Sequence, residues 1–240
     1  MTHEAIKIRK LDTLWLSLIV FAGAVLSATL ASTLFEMSVS LSGILCVGLI
    51  AIGRREGFLI GIYNSLSYSM LAYSNGLFGE MYLNLLFFVP TGVIGYLMWG
   101  RHTLKNKTVA MRQLSRTYRW YVATACILST SGLGLLLQLN PDQNTPFIDA
   151  TTNVLSIVAT FLMMWRYKEQ WLLYILLNII TIIMWALRVL AEGEAGDLMV
   201  LMWSIFLLNS VFGYWRWHNG SNSAVTFNTP NTEDATCDAA

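Results

Sequence analysis

Charge is scarce in this chain. Only 12% of its 240 residues are Asp, Glu, Lys or Arg, while 55% are hydrophobic, and the mean hydropathy is +0.55. Soluble domains carry about 25% charged residues, which leaves no room for a soluble catalytic domain. A net charge of +1 gives no electrostatic basis for a nucleic-acid partner. Cysteine is equally sparse. Cys46, Cys126 and Cys237 share no metal-like spacing, so neither a metal nor another cofactor is expected. The three histidines, His3, His102 and His218, fall at ends or in loops. No Ser–His pair can therefore form deep in an apolar segment, which argues against an intramembrane hydrolase. Phosphate-binding loops, zinc-helix motifs and nucleophile elbows are also missing.

What fills the chain instead is a series of eight long apolar runs, near 13–35, 37–53, 57–74, 81–99, 120–139, 150–165, 171–187 and 198–215. A hydrocarbon core about 30 Å thick needs about 20 apolar residues per helix. The expected fold is an all-α integral membrane protein with eight transmembrane helices. Lys7, Arg9 and Lys10 ahead of the first run resemble a signal peptide, but Thr13 to Phe35 is about twice as long as a signal-peptide core. It reads as a retained first span. No Asp, Glu, Lys, Arg or His lies deep in any run. Pumps and proton relays need buried ionisable groups, so transport without ion coupling is the expectation.

The loops carry a lopsided charge. Counted segment by segment, alternate segments hold 14 Lys and Arg against 1. The positive-inside rule places the rich set, and both termini, in the cytoplasm. The basic loop with Lys105, Lys107, Arg112, Arg116 and Arg119 is expected to lie on anionic headgroups.

The chain also repeats itself. Gly57-Phe-Leu-Ile-Gly-Ile-Tyr-Asn64 matches Trp171-Leu-Leu-Tyr-Ile-Leu-Leu-Asn178, and Gly95-Tyr-Leu-Met-Trp99 matches Gly213-Tyr-Trp-Arg-Trp217. Spans 2–4 and 6–8 thus read as two three-helix units pointing the same way, with span 5 joining them. Parallel repeats of this kind mark transporters that hold substrate near the midplane. The organisation is then 1–36, N-terminus and extra first helix; 37–100, first repeat; 101–140, basic loop and linker helix; 149–217, second repeat; 218–240, disordered tail.

Polar side chains at membrane depth need partners. Asn64, Asn84, Asn153, Asn178 and Asn209 supply carboxamides there, suited to a hydroxylated or amide-bearing ligand or to tying helices together. Trp171, Tyr174 and Asn178 are spaced i, i+3, i+7 and share one helical face. Two aromatic planes and an amide there can sandwich a flat, cationic ring. The expected site joins these three to Asn209, Asn84 and Asn64. Pro90 and Gly92 weaken span four and serve as a hinge or shape the pocket.

The stretches Pro146-Phe-Ile-Asp149, Leu155-Ser-Ile-Val-Ala159, Trp171 to Asn178, Gly79-Glu-Met-Tyr-Leu-Asn84 and Gly95 to Trp99 resemble the PnuC family of bacterial vitamin transporters. The likeness covers roughly residues 37–217. It implies a seven-helix 3+1+3 core similar to that of SWEET sugar carriers, preceded here by one extra helix. It also implies facilitated uptake of an unphosphorylated B-vitamin, trapped by cytoplasmic kinases. Nicotinamide riboside members carry Trp-x-x-Trp-x-x-x-Asn at the start of the penultimate helix, and many relatives have Gln or Asn near position 92. Here those positions are Tyr174 and Gly92. The departures favour thiamine over nicotinamide riboside, with riboflavin and deoxynucleosides behind. The rival classes are a membrane-embedded enzyme and a non-transporting receptor. Partners are the vitamin and the lipid bilayer; oligomeric state stays open between monomer and homotrimer.

Overall fold

The computed structural model describes residues 3–31, 33–74, 78–104, 106–139, 145–192 and 197–228. Within them the chain forms eight helices: α1 (His3–Leu30), α2 (Leu34–Ala51), α3 (Glu56–Ser74), α4, α5 (Arg116–Leu137), α6 (Pro146–Met164), α7 (Gln170–Glu192) and α8 (Asp197–Asn228). Helix α4 has three parts, Phe78–Leu83, a π-helical turn Asn84–Phe88, and Val89–Gly100. Among the described residues, six of the eight are long and apolar enough to cross a membrane. The outward faces agree with that count. Leu128, Leu135 and Leu136 on α5 are each at least 60% exposed, an arrangement suited to hydrocarbon rather than water.

Several boundaries differ from the sequence expectation, each for a local reason. The first run is not one span, because Thr33 caps α2. Its side chain accepts the Glu36 amide at 3.1 Å, so Leu34 and Phe35 belong to the second helix. Thr33-Leu-Phe-Glu36 has the Thr-x-x-Glu form of a capping box. Ser115 likewise starts α5 earlier than expected by accepting the Tyr118 amide. Pro146 opens α6, where its missing N–H costs nothing. Helix α8 continues through His218 to Asn228, into the stretch expected to be a disordered tail; residues 229–240 lie outside the described residues, as does the expected loop end 140–144.

The neighbour pattern has an internal correspondence. Helix α2 packs on α3, and α3 on α4; α6 packs on α7, and α7 on α8. Across the middle, α2 meets α8 and α4 meets α6. Exchanging the two triplets leaves this pattern unchanged. Hydrogen bonds repeat it. Trp99 at the end of α4 donates from Nε1 to Met163 O at the end of α6 (3.0 Å). Trp217 of α8 donates to Ile50 O and Ala51 O at the end of α2 (3.3 and 3.1 Å). Each indole adds a donor at a helix end, where Met163 O and Ile50 O also accept from Arg166 N (2.9 Å) and Gly53 N (3.0 Å). Helix α5 packs on α6, and α1 lies against α2 and α8.

Two sharp corners lead into the second helix of each triplet, Gly53 (φ 75°) and Arg166 (φ 66°). An L side chain is disfavoured there, and at Gly53 a Cβ would also meet Met111 Cε at 2.8 Å. The segment after the 101–104 turn straps across both corners. Val109 N donates to Gly53 O (2.8 Å), Arg112 N to Arg166 O (2.8 Å), and Lys168 N back to Arg112 O (2.9 Å). Arg166 Nη1 donates to Ala110 O (3.2 Å), which helps to hold its corner. Val109, Met111 and Leu114 are buried. This part of the basic loop therefore packs its apolar side chains into the end of the bundle, while Lys107, Arg112, Arg116 and Arg119 stay exposed; Lys105 is outside the described residues. Glu169 anchors it, accepting from Leu114 N (3.0 Å) and Arg119 Nε (3.0 Å). Lys168 Nζ donates to Gln113 Oε1 (2.9 Å). Desolvation, the largest influence, holds the Lys168 ammonium below the usual lysine range.

Candidate functional site

Helix α7 presents its buried face to the centre of the bundle. Trp171 is only 2% exposed. Its ring lies on Gly213 of α8, where a Cβ would come within 2.6 Å of it. Close approach of α7 and α8 therefore requires glycine at 213. Tyr174 stands beside Trp171, with ring centroids 6.0 Å apart. Its hydroxyl lies 3.4 Å from Thr160 Oγ1 of α6. Asn178 is buried and donates from Nδ2 to Ser210 Oγ of α8 (3.0 Å). Phe58, Trp99, Trp171 and Trp217 form an aromatic cluster, with Cys46, Tyr96, Met163 and Tyr174 packed around it.

The structure thus gathers Trp171, Tyr174 and Asn178 but distributes the other expected residues. Asn209 is adjacent to Ser210 yet faces another way. It accepts from Trp15 Nε1 of α1 (3.1 Å) and donates to Val47 O of α2 (3.1 Å). It joins three helices, and the α8 residue that Asn178 meets is Ser210. The ring of Trp15 also stacks on Phe212 at 4.3 Å. Asn64 donates to Val39 O (2.7 Å) and Ser42 Oγ (3.1 Å), fastening α3 to α2. Asn153 bonds back to Asp149 O on its own helix.

The internal correspondence explains part of this. Corner Gly53 corresponds to corner Arg166, and Phe58 lies on Gly95 as Trp171 lies on Gly213. That register is one residue out of step with a match of Asn64 to Asn178. It sets Asn178 against Ser65, so the two amides are not equivalents.

Pro90 acts on the turn before it. Its ring excludes the carbonyl four residues back and it has no N–H. The helix widens, and Val89 N reaches Asn84 O in a five-residue step. Thr91 Oγ1 bonds Phe87 O (2.7 Å) and Phe88 O (3.2 Å). Asn84 is buried at the start of this turn. π-Turns inside helices are frequent at functional sites. Gly92 faces α3, where a Cβ would meet Ile62 Cγ1 at 2.8 Å; its smallness serves helix packing.

Sequence reasoning missed Ser210 and Thr160, the side chains that Asn178 and Tyr174 meet. Among the described residues, no group of three or more His, Cys, Asp or Glu could hold a metal.

Comparison with known proteins agrees with this architecture. A family model described as "Nicotinamide mononucleotide transporter" matches residues 33–219. The nicotinamide riboside transporter PnuC of Neisseria mucosa is 31% identical over 210 residues, 86% of this chain and 80% of the relative. That of Haemophilus influenzae is 30% identical, over 86% of this chain and 88% of the relative. The crystal structure of the vitamin B3 transporter PnuC superposes with a TM-score of 0.73 at 32% identity, covering 93% of this chain and 94% of that one. The family and these relatives are transporters, not enzymes. On the strength of a family match over most of its length, this chain belongs to the PnuC family of multi-pass membrane transporters.

Proposed function

We propose that this protein carries nicotinamide riboside across the bacterial inner membrane by facilitated diffusion, with cytoplasmic phosphorylation trapping the product. The observation that carries the reading is the likeness, over 86% of the chain, to two proteins named as nicotinamide riboside transporters. The preference for thiamine is set aside. It leaned on Gly92 in place of an amide, and Gly92 packs against Ile62. It leaned also on Tyr174, whose phenol keeps an aromatic plane beside Trp171.

In this reading the two triplets are parallel repeats around α5, all eight helices span the bilayer, and the basic end and both termini are cytoplasmic. Trp171 and Tyr174 stack on the nicotinamide ring, Asn178 and Ser210 hydrogen-bond the hydroxylated end of the substrate, and the π-turn at Asn84–Phe88 with Pro90 shapes the opposite wall. Asn64 and Asn209 hold the surrounding helices in place. Ring stacking on a desolvated cation contributes about 0.5–2 kcal/mol per aromatic.

Purified protein in liposomes, with no kinase and no ion gradient, tests this. Labelled nicotinamide riboside should equilibrate and show counterflow against unlabelled substrate. Exchange of thiamine alone would overturn the substrate assignment. No exchange of any vitamin would favour a receptor or a membrane-embedded enzyme.

A further inference from the structure

Nearly every buried polar side-chain atom in this bundle has a partner. Among the described residues the exceptions sit on two consecutive positions: Gln170 Nε2, Gln170 Oε1 and Trp171 Nε1. Gln170 is 0% exposed. A buried, unpaired amide costs about 1–3 kcal/mol, and a methionine of similar size would remove that cost. A partner from outside the chain would account for glutamine here.

Its position on α7 indicates what. Helical spacing carries Gln170, Tyr174 and Asn178 up one stripe, with Trp171 at its edge. Among the described side chains of this helix, Gln170, Trp171, Leu177, Asn178 and Thr181 are the buried positions, so Gln170 is the basic-end terminus of the face already assigned to substrate. A glutamine amide offers a donor and an acceptor side by side. A primary carboxamide on a flat ring presents the complementary pair, and Trp171 Nε1 adds one more donor.

We propose that Gln170 is a substrate-contacting, specificity-determining residue. In the substrate-bound protein its amide pairs reciprocally with the ring carboxamide of the ligand. This rests on the nicotinamide riboside reading above, since thiamine has no carboxamide. It also predicts discrimination against nicotinic acid riboside, whose carboxylate has lost both donors.

The test uses the full-length protein and Gln170→Met. Substrate-free thermal stability in detergent is measured first, then binding of nicotinamide riboside, nicotinic acid riboside and thiamine by calorimetry. Gln170→Met should melt at or above the parent temperature. It should bind nicotinamide riboside about tenfold or more weakly and lose the parent's preference for the amide over the acid. Unchanged affinity and preference would overturn the proposal. So would a marked fall in substrate-free stability, which would mean that the amide is held by the protein itself. A parent that binds only thiamine overturns the substrate reading; Gln170→Met then still reports on the contact, because an unaffected thiamine affinity removes Gln170 from the site. A parent that binds none of the three overturns both.

Discussion

Gly213→Ala is the sharpest perturbation of the α7–α8 contact. The added Cβ would lie 2.6–2.7 Å from Cε2, Cδ2 and Cε3 of Trp171, where ordinary contact begins at 3.4 Å. The indole would have to retreat by roughly 0.8 Å, the difference of those two distances. Trp217, with its centroid 6.3 Å away, and Tyr174, at 6.0 Å, stand against that movement. Overpacking of this kind costs about 1–3 kcal/mol. At roughly 2–4 °C per kcal/mol for a chain of this size, Tm should fall by roughly 2–12 °C. If Trp171 stacks on substrate, affinity should also drop by roughly 2- to 30-fold. Trp171→Phe removes part of the ring, so Gly213→Ala with Trp171→Phe should recover much of the lost stability. The two changes should therefore couple in a double-mutant cycle. Thermal denaturation and calorimetric binding read both quantities. A Gly213→Ala protein that melts and binds like the parent would refute the close approach of α8 to Trp171.

The Asp12–Arg216 pair is buried and bidentate, at 2.8 and 3.1 Å. Arg216→Met should therefore cost about 3–5 kcal/mol, while Asp12→Leu with Arg216→Met should recover most of it in the same melting assay. Glu169→Ala removes the acceptor for Leu114 N and Arg119. Trypsin added to inside-out vesicles should then cut near Lys107 and Arg112 faster than in the parent, and equal rates would mean that the backbone bonds alone hold the strap. The Arg54 side chain, hydrogen-bonded to Glu56, holds its carboxyl below the usual glutamate range. The pair's stabilisation is thus present above the unfolded pKa of about 4.3 and is lost as pH falls through the lowered value. Glu56→Gln should accordingly flatten the acid limb of a stability–pH profile, with an effect under about 1 kcal/mol at neutral pH because both side chains are partly exposed.

Helix number and type were legible because hydropathy is a one-dimensional property, and a bilayer turns it directly into span length. The α7 stripe was legible for the same reason, since helical period alone puts Trp171, Tyr174 and Asn178 together. What required a neighbour was not legible. Period gives the face on which Asn209 lies but not that Trp15 and Val47 wait there. Asn64 and Asn178 look equivalent in sequence, and only the contacts of Phe58 and Trp171 reveal the one-residue shift. Thr33 was readable as a cap but was submerged in a continuous apolar run. Pro90 announced a break, while its form, a widened turn upstream, depends on which carbonyl the ring displaces. Val109 and Met111 were apolar residues inside a basic loop, and their burial follows from two corners distant in sequence.

The indole of Trp217 closes the end of α2, while Asn209 and Arg216 clasp α2 and α1 across 162 and 204 residues. Helices enter the membrane in the order in which the ribosome delivers them, so the first two helices must wait, with carbonyls at the end of α2 lacking their final donor, until the last helix has been made. The bundle cannot mature from its N-terminus outward; assembly is completed from the far end of the chain. Shortening the protein before Asn209 would remove much more than a tail, because several polar fastenings of its oldest helices are carried by its youngest.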